Sequence, residues 1–439
     1  MSEFTSLPGF REFYPEERAV QNYIFDTWRG AARRFGFQEW DAPVLEPLEL
    51  FTEKSGEEIV RQLFNFEDKG GRKVTLRPEM TPSLARLVAA RAGSLRRPVK
   101  WFAIGENFRY EKQQKGRLRA FYQFNADILG EAGPAADAEI IALCIETLRA
   151  FGLVAQDFRV RLSDRTLWFL FLASLGVPEC AAVGVLSVVD KLERSTPAEL
   201  AQAMTTALNG TDCDPVAVLA RVREFVALNT LAALDAFFDG NGGDAIRARL
   251  GDWRALLDVL SAMGLGDFIS LDLTIVRGLA YYTGFVFEAF ERTGDGRALA
   301  GGGRYDALVK KLGGPDMPAA GFGMGDVTLR NLLDAKKLIP PYSTAPDYYA
   351  IVLAPECRAA ALSDVAFLRQ AGLRVEYSFK DGKFGKLIQA AEQAGARNVL
   401  IYGPDEVAAG VVKVRDTQTR TERTVPREEN GRLAQLIEK

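Results

Sequence analysis

The amino-acid sequence predicts an α+β protein that carries a separate α/β domain near its C-terminus. Two segments rich in aromatic and β-branched residues, 99–109 and 118–129, flank a short polar loop, so they are expected to pair as antiparallel strands. From about 155 to 265 the spacing of apolar residues is mostly helical. From about 346 onward, strand and helix patterns alternate, which is typical of a small α/β domain.

Local patterns predict the other elements. The spacing of apolar residues predicts helices over 16–35, over 135–151 and from about Met324. Runs of β-forming residues predict extended segments or strands over 39–45, 157–162, 269–276 and 283–290. Aromatic strand character fades between 155 and 265, so this region is interpreted as inserted or appended rather than part of the sheet.

A proline-rich stretch over 340–346 is interpreted as an interdomain linker. Beyond it, the strand-like segments YYAIVLA, LRVEYSF and NVLIYG are separated by helical segments over 358–371 and 384–394. This order predicts a mostly parallel sheet with right-handed crossovers.

The composition excludes several kinds of active site. The chain has 439 residues, with 55 Lys+Arg, 58 Asp+Glu and no histidine. Its length corresponds to roughly three domains. Without histidine there is no Ser-His-Asp or Cys-His nucleophile pair, no histidine metal site and no imidazole base. Any reaction must therefore use carboxylates, arginines, lysines, hydroxyls or groups that the substrate brings.

The expected compartment is the cytoplasm. The cysteines stand singly, without C-x-x-C spacing, which indicates free thiols rather than a zinc or redox motif. The N-terminal segment lacks the apolar core of a signal peptide, and no apolar run reaches the roughly 18 residues of a membrane span. The formal charge of −3 argues against non-specific nucleic-acid binding but allows a local basic patch.

Cations are concentrated around the tip of the predicted hairpin, at Arg109, Lys112, Lys115, Arg117 and Arg119. One guanidinium group can bind two oxygens of a phosphate at once, so this density of cations suits a polyphosphate. On the second strand, Gln123, Asn125 and Asp127 recur at every second residue and therefore share one face. A solvated hairpin face would carry the same residues, so the pattern alone leaves both interpretations open.

Two further motifs lie near strand signals. RGLAYYTG over 277–284 places an arginine and two tyrosines directly after the strand-like ISLDLTIV. GGGRYD over 301–306 has three consecutive glycines, which let a backbone approach a ligand closely, although a flexible turn would explain them as well. A Walker phosphate loop is absent from the sequence, and no G-x-G-x-x-G follows a strand in the required context.

In order and spacing, these motifs resemble those of the histidyl-tRNA synthetases, a family of class II aminoacyl-tRNA synthetases. The matching segments span almost the whole chain: LRPEMT over 76–81, FRYE over 108–111, QKGR over 114–117 with Arg119, RGLAYYTG over 277–284 and GGRYD over 302–306. The resemblance implies a homodimer and a six-stranded antiparallel catalytic sheet flanked by helices. It also implies a catalytic domain in two parts, 1–154 with motifs 1 and 2 and 266–340 with the histidine motifs and motif 3. A mostly helical insertion, 155–265, would separate the two parts, and an anticodon-binding α/β domain, 346–439, would follow them.

The resemblance also implies roles for individual residues. Histidine would be bound by the following set, the first three at its α-amino group: Glu79, Thr81, Gln123, Arg109, Asp127, Arg277, Tyr281, Tyr282 and Tyr305. ATP would be bound by Arg109, Arg117 and Arg119. Asp127 and Tyr282 would bind the imidazole, while Arg109 and Arg277 would be the catalytic arginines at the α-phosphate. Mg²⁺ is expected to accompany ATP, with ligands that the sequence does not assign.

Three positions depart from the usual family pattern. Most members have Glu at the position of Asp127, Asp at that of Ala280, and at that of Thr328 an arginine that clamps the γ-phosphate of ATP. Arg330 is two residues further on, and on a helix it points elsewhere. These departures resemble a subgroup that includes the plant organellar enzymes.

The expected function is that of a histidine–tRNA ligase, which uses ATP to activate L-histidine and transfers it to tRNA-His. The main alternative is a histidine sensor that resembles the regulatory subunit of ATP phosphoribosyltransferase. That subunit usually lacks the C-terminal domain, expected here over 346–439, and tends to lose catalytic cations, whereas Arg109, Arg117 and Arg277 are all present. A non-catalytic RNA-binding or kinase-sensor module would need appended domains for which this length leaves no room.

Overall fold

The computed structural model describes residues 4–52, 60–112, 116–239, 243–276, 281–292, 297–380, 382–427, 433 and 436. They belong to two compact units, Met1–Pro340 and Pro341–Lys439. The strands of the first unit are, in chain order, β1 Gln38–Glu39, β2 Leu45–Pro47, β3 Phe64–Glu67, β4 Lys73–Leu76, β5 Val99–Phe108, β6 Ala120–Leu129, β7 Phe158–Asp164, β8 Ile269–Leu271, β9 Phe285–Glu291, β10 Ala300–Arg304 and β11 Ala319–Gly325. Its α-helices are α1 Pro15–Arg34, α2 Glu49–Thr52, α3 Thr81–Arg91, α4 Pro134–Ala150, α5 Arg165–Ser174, α6 Glu179–Val189, α7 Pro197–Ala207, α8 Pro215–Val226, α9 Leu231–Phe238, α10 Asp244–Ala262, α11 Leu308–Lys311 and α12 Asp326–Lys336.

The large sheet of the first unit has the strand order β1-β5-β6-β11-β10-β9-β7-β8. Each pairing among the six central strands is antiparallel, while the short edge strands β1 and β8 pair in parallel. The predicted six-stranded antiparallel sheet is therefore confirmed, with two short strands added at its edges. The predicted hairpin is confirmed as well, since β5 and β6 pair along their whole length up to Phe108 opposite Ala120.

Helices α1 and α4 cover one face of this sheet. Trp28 of α1 is fully buried and stacks on Phe124 of β6, with ring centroids 5.7 Å apart. Helix α4 is buried along most of its length and contacts β6, β10 and β11. Because side chains alternate across a strand, Phe124, Ala126 and Ile128 face the helices, and the residues between them face the other side of the sheet.

The region between 155 and 265 is helical from α5 to α10, and its strand belongs to the large sheet. Strand β7 pairs with β9, because Phe158, Val160 and Leu162 alternate into the core as a sheet strand requires. The interpretation that this whole region lies outside the sheet is therefore wrong for β7. The helices have an aromatic core of their own, in which the rings of Phe171 and Phe225 stack with centroids 4.1 Å apart.

The strand predicted over 269–276 ends earlier, at Leu271. Asp272 explains the early end, because its Oδ1 accepts hydrogen bonds from the backbone N–H of Thr274 at 3.0 Å and from the hydroxyl of Thr274 at 2.6 Å. Such an aspartate turn competes with continued strand pairing.

The second unit contains a five-stranded sheet of order β13-β12-β14-β15-β16. Its strands are β12 Tyr348–Val352, β13 Val375–Tyr377, β14 Asn398–Tyr402, β15 Val411–Asp416 and β16 Glu422–Pro426, and its helices are α13 Arg358–Gln370, α14 Phe384–Gln393 and α15 Pro404–Ala408. The first three strands are parallel, as predicted, and β15 and β16 are antiparallel, so the sheet is mixed. The connection after β14 is too short for a parallel crossover, which needs a dozen or more residues.

Among the described residues, no single helix is long and apolar enough to cross a bilayer. Helices α5 and α6 have that length and apolar composition only when taken together, and they are bent by 116° relative to each other.

A buried ion pair ties β10 to the start of α4. Nη2 of Arg304 lies 2.6 Å from Oδ2 of Asp137, and both side chains are almost fully buried. The remaining donors of this guanidinium reach the carbonyls of Glu131 and Gly133 at 3.0 and 3.1 Å and a carboxylate oxygen of Asp306 at 3.2 Å. Removing one partner of such a pair leaves a buried charge uncompensated.

We therefore expect Asp137→Ala to lower the free energy of unfolding by about 3–5 kcal/mol, measured by urea denaturation. A matched control is Asp316→Ala, since Asp316 pairs at 3.2 Å with Lys310 on the surface. That exposed pair is expected to contribute about 0–1 kcal/mol. Equal losses of unfolding free energy in the two variants would show that the buried pair of Arg304 and Asp137 stabilises the fold no more than a surface pair does.

Candidate active site

Three polar side chains of β6 face away from the helix-covered side of the sheet. Gln123, Asn125 and Asp127 alternate with the core residues of the same strand, as their spacing predicts. Asp127 is 2% exposed and Asn125 is 4% exposed, so this is a buried polar surface and not the solvated hairpin face that the sequence left open. Buried polar groups of this kind require partners.

The neighbouring strand β11 makes room for these side chains with glycines. A Cβ atom on Gly321 would lie 1.9 Å from Oδ1 of Asp127, and one on Gly323 would lie 1.7 Å from Nε2 of Gln123. Both distances are far inside van der Waals contact, so only glycine permits the present side-chain positions. The alternating glycines of GFGMG thus leave the space that the polar side chains of β6 occupy.

The glycine run on β10 lies in a strand and not in a flexible turn. A Cβ on Gly302 would lie 2.3 Å from the carbonyl oxygen of Gly321, and one on Gly303 would lie 2.6 Å from that of Phe285. Close packing of neighbouring backbones therefore requires glycine at both positions. Gly303 lies opposite Gly321, and Gly321 lies opposite Asp127, so these glycines face the same side of the sheet as Asp127. They leave a flat surface there, which we call the glycine floor (Gly303, Gly321 and Gly323).

Asp127 is held at one oxygen and unpartnered at the other. The hydroxyl of Tyr305 donates to its Oδ1 at 2.6 Å, while Oδ2 is buried and has no hydrogen-bond partner among the described residues. Burial raises the pKa of Asp127 to about 7, and the hydrogen bond from Tyr305 opposes that rise. The unpartnered oxygen is suited to accept an N–H group from a ligand.

A second carboxylate lies in the same region, at the start of α3. Glu79 is 4% exposed, and the hydroxyl of Tyr281 donates to its Oε2 at 2.8 Å. Thr81, also buried, is the first residue of α3. The ring of Tyr281 lies 5.2 Å from that of Tyr282 and 5.9 Å from that of Tyr305.

The tyrosines connect the two carboxylates into one site. Burial, followed by the charge of Glu79, raises the pKa of Tyr281 well above its ordinary value. Burial and the charge of Asp127 do the same for Tyr305. Both hydroxyls therefore remain donors at neutral pH. The structure brings together Glu79, Thr81, Asp127, Tyr281, Tyr282 and Tyr305 as the sequence motifs implied.

Arg109 lies between the hairpin and the segment before α3. Its Nε donates to the carbonyl of Pro78 at 3.0 Å, and its guanidinium lies over the ring of Phe121, 5.3 Å from the centroid. Stacking on an aromatic face fixes the plane of a guanidinium while leaving donors available. Phe121 was not among the predicted site residues, although it continues the two-residue period of Gln123.

The other two hairpin arginines differ in their surroundings. Nη1 of Arg117 lies 2.7 Å from a carboxylate oxygen of Glu111, and the arginine side chain is 47% exposed. The guanidinium of Arg119 lies over the ring of Tyr110 at 4.3 Å, and its Nη1 donates to the carbonyl of Pro8 at 3.5 Å. Arg119 thus helps to hold the N-terminal segment against the hairpin.

Arg277 and Ala280 lie outside the described residues, as do Gln114 and Lys115. Thr328 lies in the first turn of α12, half-buried, with its hydroxyl 3.5 Å from the carbonyl of Ala298. Arg330 pairs along the same helix with Asp334 at 3.6 Å, in agreement with the expectation that it points elsewhere.

The described residues contain no group of three or more carboxylate or cysteine side chains that could hold a metal ion by themselves. Mg²⁺ usually keeps several waters and binds through substrate phosphates with one or two carboxylates. The carboxylates present therefore fit an ion that arrives with a nucleotide, rather than one held in a protein cage.

Comparison with known proteins agrees with this arrangement. Residues 9–328 match the family model of histidyl-tRNA synthetase, and residues 347–433 match that of an anticodon-binding domain. A histidine–tRNA ligase of Opitutus terrae is 56% identical over 429 residues, which cover 98% of this chain and 97% of that protein. The chloroplastic/mitochondrial histidine–tRNA ligase of Arabidopsis thaliana is 37% identical over 93% of this chain and 82% of its own length, which agrees with the predicted likeness to the plant organellar enzymes.

Among solved structures, the histidyl-tRNA synthetase from Nostoc sp. PCC 7120 has the same fold, with a TM-score of 0.79 at 24% identity and 97% coverage of both chains. The ordered motifs, the sheet that carries them and these matches over nearly the full length lead to one conclusion: the chain belongs to the histidyl-tRNA synthetase family of aminoacyl-tRNA synthetases.

Proposed function

We propose that the protein is a histidine–tRNA ligase, which forms histidyl-adenylate from L-histidine and ATP and transfers the histidyl group to tRNA-His. The half-satisfied carboxylate of Asp127 supports this function most directly, because its buried Oδ2 can accept the ring N–H of a histidine substrate. Glu79 is a second buried carboxylate, and a carboxylate suits an α-amino group. Thr81 and Gln123 complete the proposed amino-group site.

The first step is an in-line displacement. An oxygen of the histidine carboxylate attacks the α-phosphorus of ATP, the bond to the β-phosphate oxygen breaks, and pyrophosphate leaves. No protein nucleophile is required, so the protein contributes positioning and charge stabilisation. Arg109, with its plane fixed on Phe121, and Arg277 would face the charge that develops on the α-phosphate. In the second step the adenylate is attacked by a hydroxyl at the 3′-end of tRNA-His, and AMP leaves.

Substrate ions and assembly follow the family pattern. Mg²⁺ would bind with ATP and neutralise the charge of the outer phosphates. Arg117 is proposed to contact the same phosphates. We further propose that the enzyme acts as a homodimer in the cytoplasm. Sedimentation of the purified protein measures the first of these two properties.

The function is tested by ATP–pyrophosphate exchange driven separately by each of the twenty amino acids. We expect exchange with histidine and background rates with the others. Exchange driven by another amino acid would overturn the proposed specificity. Histidine binding without exchange would favour a histidine sensor of the regulatory-subunit type instead.

The first variant is Arg277→Ala. Removing one preorganised donor at a developing charge typically costs about 10²–10³ in rate. We therefore expect this variant to bind histidine and ATP with modest loss and to slow histidine-dependent exchange by that factor. A variant that exchanges almost as fast as the active wild type would show that Arg277 has a structural role only.

The second variant is Asp127→Asn, which keeps the shape of the side chain and removes its charge. A hydrogen bond to a charged group contributes about 1.5–3 kcal/mol, so the KM for histidine should rise about tenfold to a hundredfold. At pH 8 the same variant should be more stable than the wild type by about 1–3 kcal/mol, because a buried, partly satisfied charge is removed. Exchange kinetics and urea denaturation measure the two effects.

The stability difference should depend on pH in one direction. The carboxyl of Asp127 has a pKa of about 7 when folded and about 3.9 when unfolded, so the folded wild type binds the proton more tightly. Wild-type stability should therefore fall as the pH rises from about 4 to 7, and the difference from Asp127→Asn should widen over that range. A difference that is constant from pH 4 to 8 would show that the buried carboxyl is not protonated below pH 7, and an unchanged KM would show that the imidazole is bound elsewhere.

The C-terminal unit offers an aromatic and basic surface for RNA. Phe379 is 82% exposed, and its ring packs edge-on against that of Tyr377, with centroids 5.1 Å apart. Lys380, Lys383 and Lys386 follow in the sequence. Exposed rings beside cations suit unpaired bases and their phosphates, as an anticodon loop presents them.

We expect Phe379→Ala to raise the KM for tRNA-His about fivefold to a hundredfold, because stacking on one base is worth about 1–3 kcal/mol. Exchange without tRNA should stay unchanged. Leu362→Ala is the matched control, since Leu362 is also an exposed apolar residue of this unit, on α13. Deletion of 346–439 should weaken charging more strongly and leave some adenylate formation. Full charging by the truncated dimer would refute an anticodon-binding role for this unit.

A further inference from the structure

A further arginine, Arg297, lies beside the hairpin tip and belongs to none of the sequence motifs. A Cβ atom built on Gly116 would lie 3.4 Å from Cδ of Arg297 and 3.4 Å from Cγ2 of Thr328. The side chains of Arg297 and Thr328 therefore pack on the same point of the hairpin. The hydroxyl of Thr328 lies 3.5 Å from the carbonyl of Ala298, which connects α12 to the segment just before β10.

Two arginines lie close together at this corner. Arg117 follows Gly116 directly and pairs with Glu111 at 2.7 Å. The pKa of Arg297 is lowered by burial and by the charge of Arg117, while Glu111 opposes the shift. The guanidinium groups of Arg297 and Arg117 thus lie close enough to affect each other's charge, beside a half-buried threonine, and a polyanion that contacts both would be stabilised by both.

The corner also lies at the edge of the glycine floor. Strand β10 begins three residues after Arg297, and its first residue, Ala300, pairs with Met324 near the end of β11. Helix α12, which carries Thr328, begins directly after β11. The chain elements that carry Arg297 and Thr328 are therefore direct extensions of the strands that form the floor.

We infer that Arg297 binds the outer phosphates of ATP and the pyrophosphate that leaves, together with the hairpin cations. This inference rests on the proposed ligase function and names a further residue for it. The arginine that the family resemblance implies at position 328 is replaced here by Thr328, whose side chain packs with that of Arg297 against Gly116. Arg330 is turned away along α12, where it pairs with Asp334.

The test compares binding of ATP with binding of AMP, which lacks the outer phosphates. Isothermal titration of the full-length protein should show that Arg297→Ala weakens ATP binding about tenfold to a hundredfold and leaves AMP binding unchanged. The KM for ATP and for pyrophosphate in histidine-dependent exchange should rise by a similar factor. The ATP affinity of Arg297→Lys, which retains the positive charge but not the guanidinium, should lie between those of the wild type and Arg297→Ala.

Arg292→Ala is the matched control, because Arg292 is an exposed arginine just after β9 whose Nη2 donates to the carbonyl of Asp267. It should change neither affinity. The double variant Arg297→Ala/Thr328→Arg places a guanidinium on the other side chain that packs against Gly116 and should recover most of the ATP affinity. Recovery would not be expected if Arg297 merely stabilises the loop, and Arg297→Gln serves as a second replacement should the alanine variant unfold.

An unchanged ratio of ATP to AMP affinity in a folded Arg297→Ala or Arg297→Gln variant would overturn the inference, with the ligase function intact if histidine still drives exchange. Absence of exchange in the wild type with every amino acid would instead overturn the ligase function. In that case the ratio of ATP to AMP affinity would still decide whether Arg297 binds outer phosphates.

Discussion

The lack of room for side chains above β10 and β11 is the constraint on which the rest of the site depends. Gly321 and Gly323 lie where any Cβ would displace the carboxylate of Asp127 or the amide of Gln123. A slip of one residue in the pairing of β6 with β11 would move these polar groups to the helix-covered face. The register is fixed from that other face, where Trp28 and Phe124 pack together.

The contacts of one buried carboxylate, that of Asp326, hold the N-terminal segment, the hairpin and α12 together. Asp326 is 1% exposed and accepts hydrogen bonds from the backbone N–H of Tyr122 and the side-chain amide of Gln21, both at 3.0 Å, and it pairs with Arg11 at 2.8 Å. Because Asp326 is the first residue of α12, the same contacts position Thr328 one half-turn later.

The sequence predicted the sheet and most of the site where the information is local or carried by ordered motifs. The two-residue period of Gln123 and Asp127 was enough to place both on one face. The contacts of these carboxylates could not be predicted by spacing, because Tyr305 is 178 residues away from Asp127 along the chain and Tyr281 is 202 residues away from Glu79. The packing role of the glycines on β10 was not predicted, since strand packing and ligand approach require the same absence of a side chain. Arg297 belongs to no motif, so its place beside Gly116 depends entirely on the tertiary structure.

The absence of histidine from the chain has a further consequence for the proposed reaction. Arginine side chains stay charged at every physiological pH. In the histidine pocket as we propose it, Asp127, with a pKa of about 7, and the imidazole of the substrate are then the groups that change charge in that range. A ring N–H donated to Asp127 would favour the ionised carboxylate and lower that pKa, so the two groups titrate as a coupled pair. The proposed pocket thus recognises the imidazole of its ligand, a side chain that the protein itself does not contain.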